Sequence, residues 1–263
     1  MSQRACEVLQ QVDRIAAEDT RRSGQLLRHF AIKTPALALH EHNERQISEG
    51  LVARMQAGET IALVSDAGTP LVSDPGFYLV RLAVRAGIRV IPVPGACALT
   101  AALSVAGLAT DRFRFEGFLP AKRAARQQRL ETLLHEPVTL VFYEAPHRIL
   151  DMLADMEQVF GGGRSLVLAR EITKTFETVL RGGITEVRQQ VESDANQQKG
   201  EMVVLLEGAK AEQGDDIEAQ RILKILLAQL PVKQAATLAS EITGEKKNRL
   251  YDLALKLGNK QGG

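Results

Sequence analysis

Short apolar runs alternate with longer amphipathic segments along most of the chain. This alternation is typical of α/β proteins with largely parallel sheets, because a buried parallel strand reads as an apolar run and a helix follows it. We therefore predict an α/β fold. The apolar runs predict seven strands, at Arg14 to Glu18, Leu37 to His40, Ile61 to Val64, Ile88 to Val93, Val138 to Tyr143, Ser165 to Arg170 and Met202 to Glu207.

The predicted helices have recognisable ends. Asn43 starts a capping-box pattern before a helix that ends near Gly58. Asp74 stands where the N-cap of the next helix belongs, with Pro75 in the first turn and Gly87 just past the end. We expect Asp74 to accept hydrogen bonds from the first N–H groups of that helix.

The pattern predicts two α/β domains followed by a small helical appendage. The alternation restarts at the first boundary, and a polar, glycine-containing linker precedes the appendage. The predicted domains are residues 1–113 (N-terminal α/β), 114–210 (second α/β) and 217–263 (helix-turn-helix-like, with a break at Gly244).

Composition narrows the class of protein without indicating a chemistry. Apolar residues make up 45% of the chain, and no apolar run approaches the roughly 18 residues that span a bilayer. The N-terminal residues show no export signal, so we expect a cytoplasmic protein without a membrane partner. Cys6 and Cys97 are the two cysteines, which excludes a CxxC zinc site. With a net charge of +1, binding to a polyanion requires a local basic patch.

Two loops rich in small residues follow predicted strands. The first lies in V-S-D-A-G-T-P-L-V-S-D-P-G, residues 64–76, and the second in V-P-G-A-C-A-L-T, residues 93–100. Gly68 lets the backbone approach a ligand, and Asp66 is an acceptor for an amine or a ribose hydroxyl. Ligands bind beyond the carboxyl ends of parallel strands, so these loops predict a slot for a flat, polar-edged ligand such as adenosine.

The common nucleotide-binding motifs are missing. No GxGxxG follows a strand and no GxxxxGK[ST] occurs, which argues against a Rossmann dehydrogenase and a P-loop NTPase. Composition and spacing by themselves leave an α/β small-molecule enzyme of unknown chemistry.

Further distinctive motifs follow in order along nearly the whole chain. Besides residues 64–76, they are A-A-E-D-T-R from 16, H-E-H-N-E from 40, P-G-A-C-A from 94, F-E-G-F-L-P from 115, F-Y-E-A-P-H-R from 142, A-R-E-I-T-K from 169, K-G-E-M-V from 199 and the tail K-K-N-R-L-Y-D-L-A from 246. Together they resemble the ribosomal RNA small-subunit methyltransferase I family, a branch of the tetrapyrrole methylase (class III methyltransferase) superfamily. The resemblance implies two α/β domains with S-adenosylmethionine in the cleft between them and a homodimer. It also implies methyl transfer to the ribose 2'-hydroxyl of a cytidine in small-subunit ribosomal RNA, which we expect in the assembled subunit.

One departure from the family pattern concerns the start of the chain. Family members normally open with a strand and a Pro-Thr-Pro-Ile-Gly-Asn-Leu loop, and this sequence begins just after that point. A missing inner strand leaves unpaired edges on its neighbours. We therefore expect lower stability and weaker activity of the chain as it stands.

The resemblance also assigns candidate site residues. The cofactor contacts it implies are Asp66, Ala67, Gly68, Thr69, Pro70, Pro94, Gly95, Ala96, Cys97, Ala98, Tyr143, Ala169, Arg170 and Gly200. Tyr143 is equally consistent with a core aromatic residue. Glu144, Glu171 and Lys174 are candidates for a general base, although a glutamate beside an arginine also forms structural ion pairs. No metal site is predicted, since His40 and His42 lack a third ligand.

A basic, aromatic segment is the candidate RNA-binding surface. Six cationic residues stand against one acid, Glu116, with Phe113, Phe115 and Phe118 interleaved, and Pro120 is predicted to open a helix. The alternative is a solvated helix face with core phenylalanines. The six are Arg112, Arg114, Lys122, Arg123, Arg126 and Arg129, and the appendage adds Lys246, Lys247 and Arg249.

Two other functions remain open from the sequence. One is a relative that methylates a small molecule such as a tetrapyrrole precursor. The other is a noncatalytic RNA-binding protein that acts in ribosome assembly.

Overall fold

The computed structural model describes residues 1–209 and 211–258, without the side chains of residues 211–218 and 258. The chain divides into two compact units, Met1–Val105 and Ala106–Gly263. The sequence-based domain boundaries stay predictions, and residues 210 and 259–263 of the predicted domains lie outside the described part.

The first unit is a small parallel α/β layer structure. Its strands are ordered β2-β1-β3, and both pairs are parallel. The elements, in chain order, are α1 (Gln3–Gln11), β1 (Arg14–Ala17), α2 (Thr20–His29), β2 (Ala36–Ala38), α3 (Glu44–Gln56), β3 (Ile61–Val64), α4 (Phe77–Arg85) and α5 (Ala98–Ala106).

Helices cover both faces of this sheet because β1 is apolar on both sides. Ile15 and Ala17 point to one face and pack with Leu9 of α1 and Leu27 of α2. Ala16 points to the other face, where residues of α3 and α4 cover it. The central strand is therefore buried on both sides, as its continuous apolar run predicted.

The predicted strand Ile88 to Val93 is wrong. These residues form no strand in the structure, and the side chains of Val90 and Ile91 are 47% and 52% exposed. A strand requires a hydrogen-bonded neighbour. In the described part of the chain, β3 ends the sheet and carries no second partner, so apolar alternation in this segment does not produce pairing.

The second unit contains a five-stranded sheet in the order β4-β5-β8-β6-β7. Its first pair is parallel and the other three pairs are antiparallel, so the expectation of largely parallel sheets holds for the first unit alone. The elements are β4 (Phe113–Phe118), α6 (Arg123–Glu131), β5 (Thr139–Glu144), α7 (Ile149–Phe160), β6 (Ser165–Arg170), β7 (Thr178–Gly183), α8 (Ile184–Ser193) and β8 (Met202–Leu206).

Three helices cover one face of this sheet. Phe142 at its centre is fully buried, and the cluster around it includes Leu130 of α6, Met152 of α7 and Val187 of α8. Strands β4 and β7 were not predicted, because arginines interrupt both runs and two glycines end β7. Both lie at the edges of the sheet, where polar residues are common.

The C-terminal helices pack as a separate cluster within the second unit. They are α9 (Ala211–Leu227), α10 (Val232–Thr243) and α11 (Lys247–Gly258). Their buried residues are mostly alanines, such as Ala235, Ala236 and Ala239 on α10, which lets the helices approach closely. Gly244 ends α10 in the left-handed conformation, with φ at 73°. The predicted helix-turn-helix-like appendage is confirmed.

Candidate functional site

The two small-residue loops of the first unit lie side by side. The Thr69 hydroxyl donates to the Ala96 carbonyl at 3.1 Å, and a Cβ placed on Gly68 would lie 3.7 Å from the same oxygen. Pro94, Gly95 and Ala98 are exposed, and the space beside Gly95 is open. The structure therefore brings together two loops that the sequence singled out separately, even though no strand precedes the second.

Asp66 ties the first loop to the turn after β1. Its Oδ1 accepts from the backbone N–H of Asp19 at 2.9 Å, and its Oδ2 lies 3.3 Å from the Arg22 guanidinium. Its own N–H donates to Glu18 at 3.2 Å. A carboxylate has about four acceptor positions, so Asp66 shapes the loop and keeps capacity for a ligand donor.

Asp74 is not the N-cap of α4, and that prediction is wrong. The cap residue is Gly76, with φ at 123° and no side chain to accept a hydrogen bond. Glu44, at the start of α3, accepts instead from the N–H groups of Gly76, Tyr78 and Leu79, at 3.1, 2.7 and 3.2 Å. One carboxylate thus satisfies three orphan donors of a helix more than thirty residues away in sequence.

The Asp74 carboxyl belongs to an acidic cluster at the ends of β1 and β3. Burial raises the pKa of Asp74 to about 6, and the negative charges of Glu18 and Asp66 add to this, while a hydrogen bond from Ser65 opposes it. Carboxylates that raise one another's proton affinity favour a positively charged ligand. The same loop contains Leu71 and Ser73 with positive φ, each of which costs about 1–3 kcal/mol and is typical of functional loops.

The candidate residues of the second unit meet at one edge of the five-stranded sheet. Strand β5 ends at Glu144 and β6 ends at Arg170, and both residues pair with Met202 at the start of β8. Tyr143, Glu144, Glu171 and Gly200 therefore lie at the same edge. Sequence spacing does not reveal this convergence, because it depends on the antiparallel insertion of β8 between β5 and β6.

Glu144 is a buried carboxyl with one oxygen unused. Its Oε1 accepts from the Ala145 N–H at 2.8 Å and lies 3.3 Å from Arg148, while Oε2 is buried and has no hydrogen-bond partner among the described residues. Burial raises the pKa of Glu144, opposed by the Ala145 N–H and the positive charge of Arg148. This raised proton affinity suits a general base, but the side chain is 3% exposed and has no access to a substrate, so the predicted catalytic role of Glu144 is corrected to a structural one.

Glu171 and Lys174 form an ion pair with each other. The Lys174 ammonium lies 2.8 Å from Glu171 and 3.0 Å from Glu201. Its hydrogen bond lowers the pKa of Glu171 and raises the pKa of Lys174. Both pKa shifts make the two residues weaker proton acceptors at neutral pH. Their role is therefore better described as a structural ion pair, the alternative that the sequence left open.

Gly200 lies against the Glu171 side chain. Its φ is 84°, and a Cβ at this position would overlap the Glu171 carboxyl. The N–H of Glu201 donates to that carboxyl at 2.8 Å, and the Glu171 N–H donates to the Glu201 carbonyl at 2.9 Å. A side chain at this position would need a left-handed φ and would displace the Glu171 carboxylate, so glycine is strongly favoured where these two loops approach each other.

The Arg170 guanidinium links the loop between β6 and β7 to the loop before β8. Arg170 is 6% exposed, and its guanidinium donates to the carbonyls of Lys199 and Phe176 at 3.1 and 2.9 Å, and to the side chains of Thr178 and Gln197. A guanidinium has five N–H groups, and four hydrogen bonds inside the protein leave little for a ligand. We correct its predicted role from direct cofactor contact to loop positioning.

Ala169 has no direct access to a ligand either. It is 1% exposed, and its backbone pairs with Val179 on one side and Val203 on the other. Its predicted role as a cofactor contact is corrected to that of a residue inside the sheet.

Tyr143 belongs to an aromatic cluster that extends to the surface. Its ring makes edge contacts with Phe115 and Phe118, at centroid distances of 4.9 and 5.8 Å. Tyr143 is half-buried, and Phe118 is 54% exposed. The structure thus gives Tyr143 a packing role and places an exposed aromatic ring next to it.

Much of the predicted basic surface is neutralised inside the fold. Arg126 is 3% exposed, and its guanidinium lies 2.7 Å from the buried carboxylate of Asp155 on α7, which also binds Arg123 at 3.0 Å. Arg126 cannot reach a phosphate without breaking this pair, so it is withdrawn from the RNA-binding set. The sequence count missed Asp155 because it is far from the segment along the chain.

The other cations of this segment differ in exposure. Arg114 and Arg129 both pair with Glu116, and Arg114 also lies 2.9 Å from Glu136. Arg112 is exposed and only loosely associated with Asp111, at 3.9 Å, and Lys122 is exposed. The candidate phosphate contacts that remain at the surface are therefore mainly Arg112 and Lys122.

The helix that carries these cations starts later than predicted. It begins at Arg123 with Lys122 as N-cap, not at Pro120. Arg148 donates to the carbonyls of Leu119 and Pro120 at 2.7 and 3.3 Å, which holds these residues outside the helix.

The appendage has two exposed lysines near the start of α11. Lys246 and Lys247 are exposed, whereas Arg249 pairs with Glu245 one turn away. Its predicted RNA contacts therefore rest on the two lysines.

The described residues contain no cluster of three or more His, Cys, Asp and Glu side chains that could hold a metal ion. His40 and His42 lie in the turn after β2, not on a strand, with ring centroids 6.0 Å apart. Nor does any helix among the described residues have the length and apolar character needed to cross a membrane.

The fold matches a known class of protein. A family model for tetrapyrrole (corrin/porphyrin) methylases matches residues 1–188, and one for the RsmI C-terminal HTH domain matches residues 213–258. The structure of diphthine synthase has a TM-score of 0.58 at 14% identity, covering 79% of this chain and 84% of that one. The structure of uroporphyrin-III C-methyl transferase from Thermus thermophilus, complexed with S-adenosyl homocysteine, has a TM-score of 0.50 at 17% identity, covering 78% and 90%.

Sequence similarity defines the group within this class. The chain is 58% identical over 259 residues to ribosomal RNA small subunit methyltransferase I of Pseudomonas aeruginosa, covering 97% of this chain and 92% of the relative. The chain therefore belongs to the ribosomal RNA small subunit methyltransferase I family of the tetrapyrrole methylases, as the motifs indicated.

The Asp74 carboxyl predicts a specific dependence of stability on pH. Its pKa of about 6 in the folded chain exceeds the ordinary 3.8, so its ionisation lowers stability as pH rises through this window. We expect Asp74→Asn to stabilise the protein by about 1 kcal/mol at pH 8, with solvent screening allowed for, and to have no effect below about pH 4. Urea denaturation at pH 4, 6 and 8 measures this.

Asp13 provides the matched control. Hydrogen bonds from the Thr60 N–H and hydroxyl lower its pKa, so Asp13→Asn should destabilise the protein at neutral pH and lose its effect in acid. An Asp74→Asn effect that has the same sign as the Asp13→Asn effect at pH 8, or that persists at pH 4, would contradict the assignment.

The buried pair between Arg126 and Asp155 predicts a structural role for Arg126. Removing Arg126 leaves the buried Asp155 carboxylate with the exposed Arg123 as its remaining charged partner, so we expect Arg126→Gln to cost about 2 kcal/mol of unfolding free energy, less than the about 3–5 kcal/mol of a charge left with no partner. Arg112→Gln, at an exposed position, should change it by less than about 0.5 kcal/mol. Equal values for the two variants would refute the buried role.

Proposed function

We propose that this protein uses S-adenosylmethionine to methylate small-subunit ribosomal RNA, at the ribose 2'-hydroxyl of a cytidine. The observation that carries the proposal is the 58% identity, along 97% of the chain, to a relative named for this activity. The confirmed helix-turn-helix-like appendage supports a nucleic-acid substrate over a small tetrapyrrole.

The residues present fit the cofactor. The adjoining loops at Asp66 to Pro70 and Pro94 to Ala98 have small side chains and open space beside Gly95. Asp66, with Glu18 and Asp74 nearby, supplies negative charge suited to an ammonium group and a sulfonium. In the second unit, the left-handed Gly200 lies at the sheet edge where the ends of β5 and β6 and the start of β8 meet. When bound, S-adenosylmethionine supplies an electrophilic methyl group on a positively charged sulfur.

The chain's own residues contribute mainly by positioning. In well-oriented systems, alignment of the reacting groups and exclusion of water can lower the activation barrier by about 7 kcal/mol. Glu144 is 3% exposed, as inaccessible to a ribose hydroxyl as Ala169, so we propose that it positions Arg148 and the Ala145 backbone, and we assign no general base. Glu171 and Lys174 neutralise each other and act by holding the loop that contains Gly200.

The proposal extends to the setting of the reaction. The substrate is ribosomal RNA in the assembled small subunit, the protein works in the cytoplasm, and it forms a homodimer. These three statements rest on the resemblance to the family.

Methyl incorporation from labelled S-adenosylmethionine tests the proposal. We expect calorimetry to show that S-adenosylmethionine binds. In the incorporation experiment, we expect label at the ribose of a cytidine in assembled small subunits, and less label in naked RNA. Label in a tetrapyrrole precursor would favour the small-molecule enzyme. Binding of RNA without any binding of S-adenosylmethionine would favour the noncatalytic protein, and either result would overturn the proposal.

A further inference from the structure

Phe176 lies in the loop between β6 and β7 and projects its ring into solvent. It is 71% exposed, more than any other large hydrophobic side chain in the described part of the chain. A single exposed apolar residue is common on protein surfaces. The backbone beneath this one is unusual, because it is fixed by buried and strained groups.

Two donors hold the Phe176 carbonyl. The buried Arg170 guanidinium donates to it at 2.9 Å, and the Thr178 hydroxyl donates at 3.1 Å. On the other side of the loop, the Thr173 N–H donates to the Glu177 carboxylate at 2.6 Å. The ring is therefore carried on a backbone that is held at several points.

The loop that presents Phe176 also contains backbone strain. Glu171 and Thr173 have φ values of 50° and 68°, in the left-handed region that branched side chains such as threonine disfavour. Strained loops persist where the surrounding structure enforces them, and they cluster at ligand-binding sites. Here the Glu171, Lys174 and Glu201 pairs enforce the conformation.

The loop projects from the sheet edge that contains the candidate site. Strand β6 ends at Arg170, which pairs with Met202, and Met202 also pairs with Glu144. A second exposed aromatic ring, Phe118, ends β4 at the same edge, beside Tyr143. The edge that holds Glu144 and Gly200 is thus bordered by two exposed phenylalanines.

The charges near Phe176 disfavour a phosphate contact. Glu171, Glu177 and Glu201 surround the loop, and the ammonium of Lys174 is already bound to two of them. A base presents an uncharged π face, which an aromatic ring can stack on without a nearby cation. Among the parts of an RNA substrate, this loop suits an unpaired base.

We propose that Phe176 stacks on an unpaired base of the RNA substrate beside the methylated nucleotide, and so helps to select the target. This inference rests on the proposed function. Stacking fits the reaction, because a ribose 2'-hydroxyl becomes accessible most readily where the strand is unpaired and its bases are splayed.

Substitutions of Phe176 give the first test. We expect Phe176→Ala to lower kcat/KM for assembled small subunits about tenfold, the loss of roughly one stacked base, and to leave the affinity for S-adenosylmethionine unchanged. Phe176→Tyr should retain activity. The matched control is Phe77→Ala, since Phe77 is 64% exposed on α4. If Phe176→Ala stays within twofold of the wild type, the inference is wrong.

Salt dependence separates stacking from charge. Phe176→Ala should weaken RNA binding equally at all salt concentrations, whereas Lys122→Gln should reduce the log-log salt slope by about 0.7 if Lys122 meets a single-stranded phosphate. A reduced salt slope for Phe176→Ala would mean that the substitution removes a contact to a phosphate, and this result would refute stacking.

A fluorescent variant tests the contact without turnover. The chain contains no tryptophan, so Phe176→Trp introduces its single tryptophan. After subtraction of the signal of wild-type protein mixed with small subunits, we expect the emission of Phe176→Trp to be quenched in the complex and that of Phe77→Trp to be unchanged. Unchanged emission of Phe176→Trp in the bound state would overturn the inference. If the wild type methylates no RNA, the proposed function fails, but this emission still decides on the contact.

Discussion

The buried guanidinium of Arg170 organises the candidate site of the second unit. It donates to the carbonyl of Phe176 in one loop and to that of Lys199 in another. The next residue, Glu171, accepts hydrogen bonds from Lys174 and from the Glu201 N–H. Its side chain lies so close to Gly200 that a Cβ on Gly200 would overlap it. The positions of Gly200 and Phe176 therefore depend on one buried charge and the carbonyls that satisfy it.

Internal ion pairs also engage several cations that the sequence offered as ligand contacts. Arg126 binds Asp155, Arg114 and Arg129 share Glu116, and Lys174 lies between two glutamates. Charge counts along the sequence therefore overstate the cationic surface. In the basic segment, this leaves mainly Arg112 and Lys122 as exposed candidates for phosphate contacts.

The sequence predicted the local features and missed those that depend on distant partners. Strands Ile61–Val64 and Ser165–Arg170 were predicted with their observed bounds. The two small-residue loops were expected to adjoin, and they do. Apolar runs and glycines allow such predictions because they reflect local structure. The run Ile88 to Val93 has the pattern of a strand and lacks a neighbour. Capping of α4 by Glu44 and neutralisation of Arg126 by Asp155 join residues about thirty positions apart, which local patterns do not encode.

The affinity of S-adenosylmethionine for Gly200→Ala, measured by calorimetry, tests the central role of the joined loops most directly. The matched control is Gly161→Ala, because Gly161 has nearly the same φ, 81° against 84°, but open space where a Cβ would lie. We predict that Gly200→Ala, by displacing Glu171, weakens binding at least about tenfold, or 1.4 kcal/mol, and that Gly161→Ala binds like the wild type. Wild-type affinity in Gly200→Ala would contradict the account.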